Sequence, residues 1–226
     1  MTAASKGLFE RLKAAAADEW AAYIDHDFVR GLGNGTLPEE CFRHYLAQDY
    51  VFLIHFARAY ALAVYKSRTL DDMRSAGRTM FALLDMEMDL HVRLCARWGL
   101  SAEDLEATPE ASATMAYTRY VLEEGMRGDL LDLHVALVPC VIGYWEIGKV
   151  LAAQPGALDT SNPYHEWIAE YSSDEYQQVA AEAEERLDRL AGDAISAERF
   201  TDLVRIFSQA MRLEIGFWKM GLDLEN

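Results

Sequence analysis

The sequence predicts an all-α protein, and three observations carry that prediction. Apolar residues recur at spacings of three and four almost throughout, strict alternation rich in β-branched residues is missing, and only five prolines interrupt 226 residues. Three-and-four spacing lays a stripe along a helix, whereas alternation would lay one along a strand. An apolar content of 51%, with 11% aromatic, supplies a substantial core.

A first helix is expected over residues 8–23. A short amphipathic piece at Phe28 and Val29 runs into the breaker Gly31-Leu32-Gly33-Asn34-Gly35. Thr36 with Glu39 has the spacing of a capping box, in which side chain and backbone exchange hydrogen bonds, and opens a long helix toward residue 66. Thr69 with Asp72 repeats the signature for a helix to residue 98, closed by Gly99. Ser101 with Asp104 starts a short turn, and a helix over residues 109–126 stops near Gly125 and Gly128. The next covers residues 129–153 and ends at Pro155-Gly156. Asn162-Pro163 reads as a cap plus first helical residue, Ser172 with Glu175 caps a helix to residue 190, and the last helix spans residues 196–220. Loops of a few residues make neighbours antiparallel, so residues 1–226 are expected as a single-domain helical bundle.

The formal charge of −16, with no cluster of Lys and Arg, excludes a surface that tracks phosphates, so no nucleic-acid partner is expected. Cys41, Cys95 and Cys140 are far apart and form no Cys-x-x-Cys spacing, which points to a reduced, cytoplasmic protein. Residues 1–13 lack the basic start and apolar stretch of a signal peptide, and no unbroken apolar run of 18 residues occurs, so no membrane partner is expected either.

Some polar groups fit a core poorly. Pro139 lies inside an apolar helix, where a proline removes one N–H donor at a cost of about 3 kcal/mol and should free the Val135 carbonyl beside Cys140. Cys140 and Tyr144 stand four apart and share a face, although a lone helical cysteine is more often a small buried hydrophobe. Asp49 sits among Tyr45, Leu46, Tyr50, Phe52, Leu53 and Phe56. A carboxylate buried there needs partners, either structural donors or a ligand. Glu214 is similar, with a salt bridge to Arg212 or Arg205 as the plain alternative. Tyr117, Tyr120, Tyr164, Trp167 and Tyr171 are core rings or aromatic faces for a ligand. A di-iron bundle needs paired Glu-x-x-His motifs, which the chain lacks. Glu87 and His91 make one i, i+4 pair, His26, His44, His55, His134 and His165 have no ligand spacing, and all six are expected at the surface or in supporting positions. Neither a metal nor another cofactor is expected, and no Gly-x-Ser-x-Gly elbow marks a serine hydrolase.

In order and spacing, these segments resemble the TenA family, also called thiaminase II, of the haem-oxygenase-like all-helical superfamily. The resemblance runs over nearly the whole chain. It takes in residues 31–38, Phe42-Arg43-His44-Tyr45-Leu46-Ala47-Gln48-Asp49 with Phe52, His55 and Phe56, then Glu87 to His91, Tyr117, Leu137-Val138-Pro139-Cys140 through Gly148, Tyr164 to Tyr171, and Glu214 before Phe217-Trp218. The resemblance implies an aminopyrimidine aminohydrolase of thiamine salvage, which converts 4-amino-5-aminomethyl-2-methylpyrimidine to the hydroxymethyl compound and has a thiaminase side activity. It makes Cys140 the nucleophile, Asp49 and Glu214 the acid–base pair around the pyrimidine, and Phe52, Tyr117, Tyr144 and Tyr171 the substrate-binding rings. Members divide on the cysteine of the Pro-Cys position, and Cys140 places this chain in the cysteine-containing branch. Phe52 stands where many members carry a tyrosine, which keeps a stacking face and loses a hydroxyl. A homotetramer is implied as well, and Trp20, Tyr23, Trp98 and Trp218 exceed what one small surface hides. The competing readings are a non-catalytic binder of a thiamine precursor, a transcriptional regulator, and a haem or di-iron oxidoreductase.

Overall fold

A computed structural model describes residues 7–226, apart from the side chain of Met86. The protein is 80% helical, with no strand among the described residues. Twelve α-helices follow one another among the described residues: α1 (Leu8–Ala15), α2 (Ala17–Ile24), α3 (Asp27–Asn34), α4 (Glu39–Lys66), α5 (Leu70–Ala82), α6 (Met88–Cys95), α7 (Ala102–Glu106), α8 (Ser112–Arg127), α9 (Leu130–Ala152), α10 (His165–Tyr171), α11 (Asp174–Ala191) and α12 (Ala197–Asp223). The chain divides into two compact units, Met1–Leu37 with His134–Ile215 and Pro38–Leu133 with Gly216–Asn226.

In the first unit, the helix expected over residues 8–23 is two helices. Ala16, at φ −118° and ψ 38°, leaves helical geometry between α1 and α2. The break serves packing: Phe9 meets Trp20 edge-on at 5.5 Å, and Trp20 stacks on Phe207 of α12 at 6.2 Å and 10°. Asp188 of α11 receives the otherwise unpaired Leu8 N–H at the start of α1 (2.6 Å). α3 runs through Gly31 and Gly33, where the sequence suggested a breaker, and stops at Gly35, whose φ of 72° favours glycine. Asn162 ties the loop before α10 to α3. Its amide donates to the Leu32 and Ala157 carbonyls (both 3.0 Å), and its oxygen accepts from the Tyr164 N–H (3.0 Å). α10 therefore begins two residues beyond Pro163. The cap of α11 is Ser173, which accepts from the Tyr176 N–H, one residue past the expected Ser172.

In the second unit, α5, α6 and α8 pack on the long α4. The Thr36–Glu39 capping box does not form. The Thr36 N–H and hydroxyl both donate to the Asn34 side-chain oxygen (3.0 and 2.6 Å), so α4 starts after Pro38 without a side-chain cap. Thr69 does cap α5, and Ser101 with Asp104 forms the full reciprocal box. The helix expected from Thr69 to residue 98 is interrupted by a π-turn at Leu83–Glu87 and finishes in a 3₁₀ turn, Ala96–Trp98, before Gly99. α8 borrows its cap from another helix: Gln48 of α4 accepts from the Ala111 N–H (2.9 Å) and the Thr114 hydroxyl (2.7 Å) and donates to the Pro109 carbonyl (2.9 Å).

α9 is long and apolar enough to cross a membrane by length and composition alone, but 67% of its most apolar stretch is buried inside the protein, as befits a core helix. Trp20, Tyr23 and Trp218 are buried within the chain, so they do not supply the surface from which self-association was argued.

Candidate active site

The first unit carries Cys140, Tyr144, Tyr171 and Glu214. Pro139 is accommodated inside α9, and its own carbonyl accepts a 3.3 Å hydrogen bond from the Tyr23 hydroxyl of α2. Cys140, the next residue, is half-buried. One turn on, a Cβ on Gly143 would lie 2.4 Å from the Tyr23 ring, so only glycine lets that ring lie against α9. Gly148 does the same for α10: a Cβ there would lie 2.5 Å from the Tyr171 backbone. That approach brings the Tyr144 and Tyr171 rings to 5.0 Å at 61°, with Trp167 4.6 Å from Tyr171. Glu214, on α12, is 1% exposed. Arg212, offered as its ion-pair partner, turns to Glu19 instead (2.8 Å).

The second unit carries Asp49, Phe52 and Tyr117. Phe52 stacks on Phe56 at 5.3 Å and meets Tyr117 at 4.9 Å and Phe217 at 5.5 Å. Asp49 is 3% exposed and its Oδ2 is doubly engaged, accepting from the Tyr45 hydroxyl (3.0 Å) and lying 2.7 Å from His91 Nε2. The other ring nitrogen of His91 lies 2.8 Å from the Glu87 carbonyl. Burial alone would lower the affinity of this imidazole for its proton. The hydrogen bond and charge of Asp49, joined by the Glu87 carbonyl and carboxylate, outweigh it and raise the imidazole above its ordinary 6.5. Cys95, one turn along α6, is pushed up to about 11 by burial and by the Asp49 charge, so it stays a thiol at neutral pH.

Of the two places expected for the histidines, surface or supporting, His91 takes the second: its exposure is zero and its ring lies against Asp49. Its signal was the Glu87–His91 spacing, which was weighed as a pair of metal ligands, whereas the ring uses the Glu87 backbone. Among the described residues, no group of three or more His, Cys, Asp or Glu is placed to hold a metal ion. Chemically, the first unit carries a half-buried thiol and a cluster of aromatic rings, and the second a buried carboxylate that can only accept while it is ionised.

The chain is similar along its length to known proteins. It is 42% identical over 205 residues, 90% of each chain, to a protein of Halalkalibacterium halodurans named aminopyrimidine aminohydrolase. A solved structure described as a TenA family transcription regulator, from Silicibacter sp. TM1040, superposes with a TM-score of 0.88 at 49% identity over 95% of this chain and 96% of that one. At 16% identity, a Shewanella denitrificans domain described as having a heme oxygenase-like fold matches with a TM-score of 0.74 over 96% and 92% of the two chains, which shows the fold alone. The model of the TENA/THI-4/PQQC family matches residues 13–224, and with nearly the whole length accounted for, this all-α, heme oxygenase-like chain belongs to that family.

Proposed function

We propose that this chain is an aminopyrimidine aminohydrolase of the thiaminase II type, a hydrolase of C–N bonds that serves thiamine salvage in the cytoplasm. The observation that carries this reading is the 42% identity over 90% of its length to a relative of that name. The chemistry of the residues agrees with it. An aminopyrimidine is planar and has an amidine-like edge that donates from its exocyclic amine. The Asp49 carboxylate is the acceptor for that amine, and Phe52, Tyr117, Tyr144 and Tyr171 are the rings that hold the heterocycle. The Cys140 thiolate adds to an electron-poor ring carbon, forming a C–S bond and breaking aromaticity. The electron pair then expels the aminomethyl nitrogen, which takes a proton from Glu214 and leaves as ammonia. Water adds to the exposed methylene carbon and returns a proton to Glu214. The C–S bond breaks, and the hydroxymethylpyrimidine and the thiolate are restored. The scheme uses no metal or other cofactor, the functional protein is a homotetramer, and its partner is the small pyrimidine.

Ammonia release from 4-amino-5-aminomethyl-2-methylpyrimidine tests the proposal, with Cys140→Ser as the control. Turnover by the wild type and none by the variant is the expected result. Equal rates for both would overturn the covalent scheme, and no ammonia from either would overturn the activity. The name of the Silicibacter relative supports a second reading as a transcription regulator. A net charge of −16 weighs against direct contact with DNA, and a mobility shift surviving moderate salt would favour that reading.

A further inference from the structure

Behind Asp49 lies an imidazole to which the reaction scheme gives no task. His91 is fully buried, and each of its ring nitrogens faces an oxygen. The Glu87 carbonyl can only accept, so Nδ1 carries a hydrogen. Across the ring, Nε2 lies 2.7 Å from Asp49 Oδ2, which also accepts from the Tyr45 hydroxyl. Burial alone would favour a neutral ring, but the hydrogen bond and charge of Asp49 outweigh it and favour the proton on Nε2. The groups shown to act on the ring are Asp49 from α4 and Glu87 at the start of its own segment. The π-turn Leu83–Glu87 ends at the residue whose carbonyl the ring takes, and single π-turns recur at functional sites.

We infer that His91 is the positioning residue of Asp49, an imidazolium donating from both nitrogens that fixes the carboxylate's orientation toward the amine edge of the substrate. The identity of that substrate rests on the proposed function; the protonation and the hydrogen bonds do not. The pair is neutral as a whole, which limits the cost of burying its two charges.

Nitrogen-15 spectra of the histidine rings test the protonation directly in the full-length protein. At a pH of about 8, well above the ordinary histidine value of about 6.5, the His91 ring keeps hydrogens on both nitrogens in the wild type and has one in Asp49→Asn. A singly protonated ring in the wild type overturns the inference, whether or not the protein turns over an aminopyrimidine. Kinetics test the positioning. His91→Gln keeps a neutral donor and His91→Leu removes it. Both raise KM more than they lower kcat, by about tenfold or more for His91→Leu and less for His91→Gln. Folded variants with kcat/KM within about twofold of wild type would overturn it. A wild type that releases no ammonia counts against the proposed activity and leaves the spectroscopic result standing.

Discussion

The Tyr23 hydroxyl donates to the Pro139 carbonyl, and the ring that carries it lies against Gly143 one turn further along α9. The proline removes the N–H that the Val135 carbonyl would accept from, whereas the buried phenol from α2 donates one turn later, to the carbonyl of the proline itself. Gly143→Ala drives a methyl to 2.4 Å from a ring that is itself fully buried, and Gly148→Ala drives one to 2.5 Å from the Tyr171 backbone, which has less room to yield. Overpacking of this kind costs about 1–3 kcal/mol, so each variant should melt several degrees lower, with Gly148→Ala the worse. Thermal melts followed by circular dichroism check the order, and a neutral Gly143→Ala would show that the Tyr23 contact is loose.

Acidic groups crowd α11 and its neighbours. Glu184 is raised above its ordinary 4.5, first by burial and then by Glu10, Glu146 and Asp188, with Lys13 opposing. Because the folded state holds this proton more tightly than the unfolded chain, the contribution is fully favourable below about 4.5 and is lost as pH rises through the raised value. Glu184→Gln should therefore melt higher than wild type near a pH of about 7, and the gain should vanish near about 4. Melts at the two pH values decide it, and equal gains at both would contradict the assignment.

Lys13 is the cation of that cluster. Its ammonium binds both Glu146 oxygens (2.6 and 2.7 Å) and lies 4.7 Å from the centre of the Trp20 ring, with the pair 26% and 18% exposed. Lys13→Met leaves Glu146 half-buried without this partner and should cost about 1–2 kcal/mol, below the 3–5 of a fully buried pair. Adding Glu184→Gln should recover part of the loss, because one repelling carboxylate is gone. Urea titration of the two single variants and the double variant measures the coupling, and strictly additive effects would refute it.

Gln48 fills three hydrogen bonds around the start of α8, where Ala111 offers no side-chain cap. Gln48→Ala strands a buried N–H and a buried hydroxyl and should cost about 2–3 kcal/mol. Hydrogen exchange at Ala111 reports the loss locally, and protection unchanged from wild type would show that another group takes over.

The three cysteines should differ in reactivity. Cys95 is buried and held near 11, and Cys41 is buried and raised by the same desolvation, with Glu40 and Asp223 adding to it. Brief alkylation near neutral pH should modify half-buried Cys140 first, with ammonia release falling in step. Peptide mass mapping checks the site, and early labelling of Cys95 would contradict its burial.

The helical class was legible because its signal is local: hydrogen bonds four residues apart force apolar residues into a period of three and four. Thr69 and the Ser101–Asp104 box were legible for the same reason. Thr36 was not. It has the right partner three residues on, but Asn34 lies closer and takes both its donors. The break at Ala16 and the π-turn at Leu83–Glu87 carry no proline or glycine, so propensity gives no warning of either.

The sequence by itself determined the helical class, the family pattern, and the residue types able to act on a pyrimidine. Which groups hold Asp49 was decided only by tertiary structure, because His91 lies 42 residues away and joins it through packing of α6 on α4. A helical period records which face of a segment is buried. It does not record which buried donor comes to rest 2.7 Å from a carboxylate, since competition through space sets that pairing.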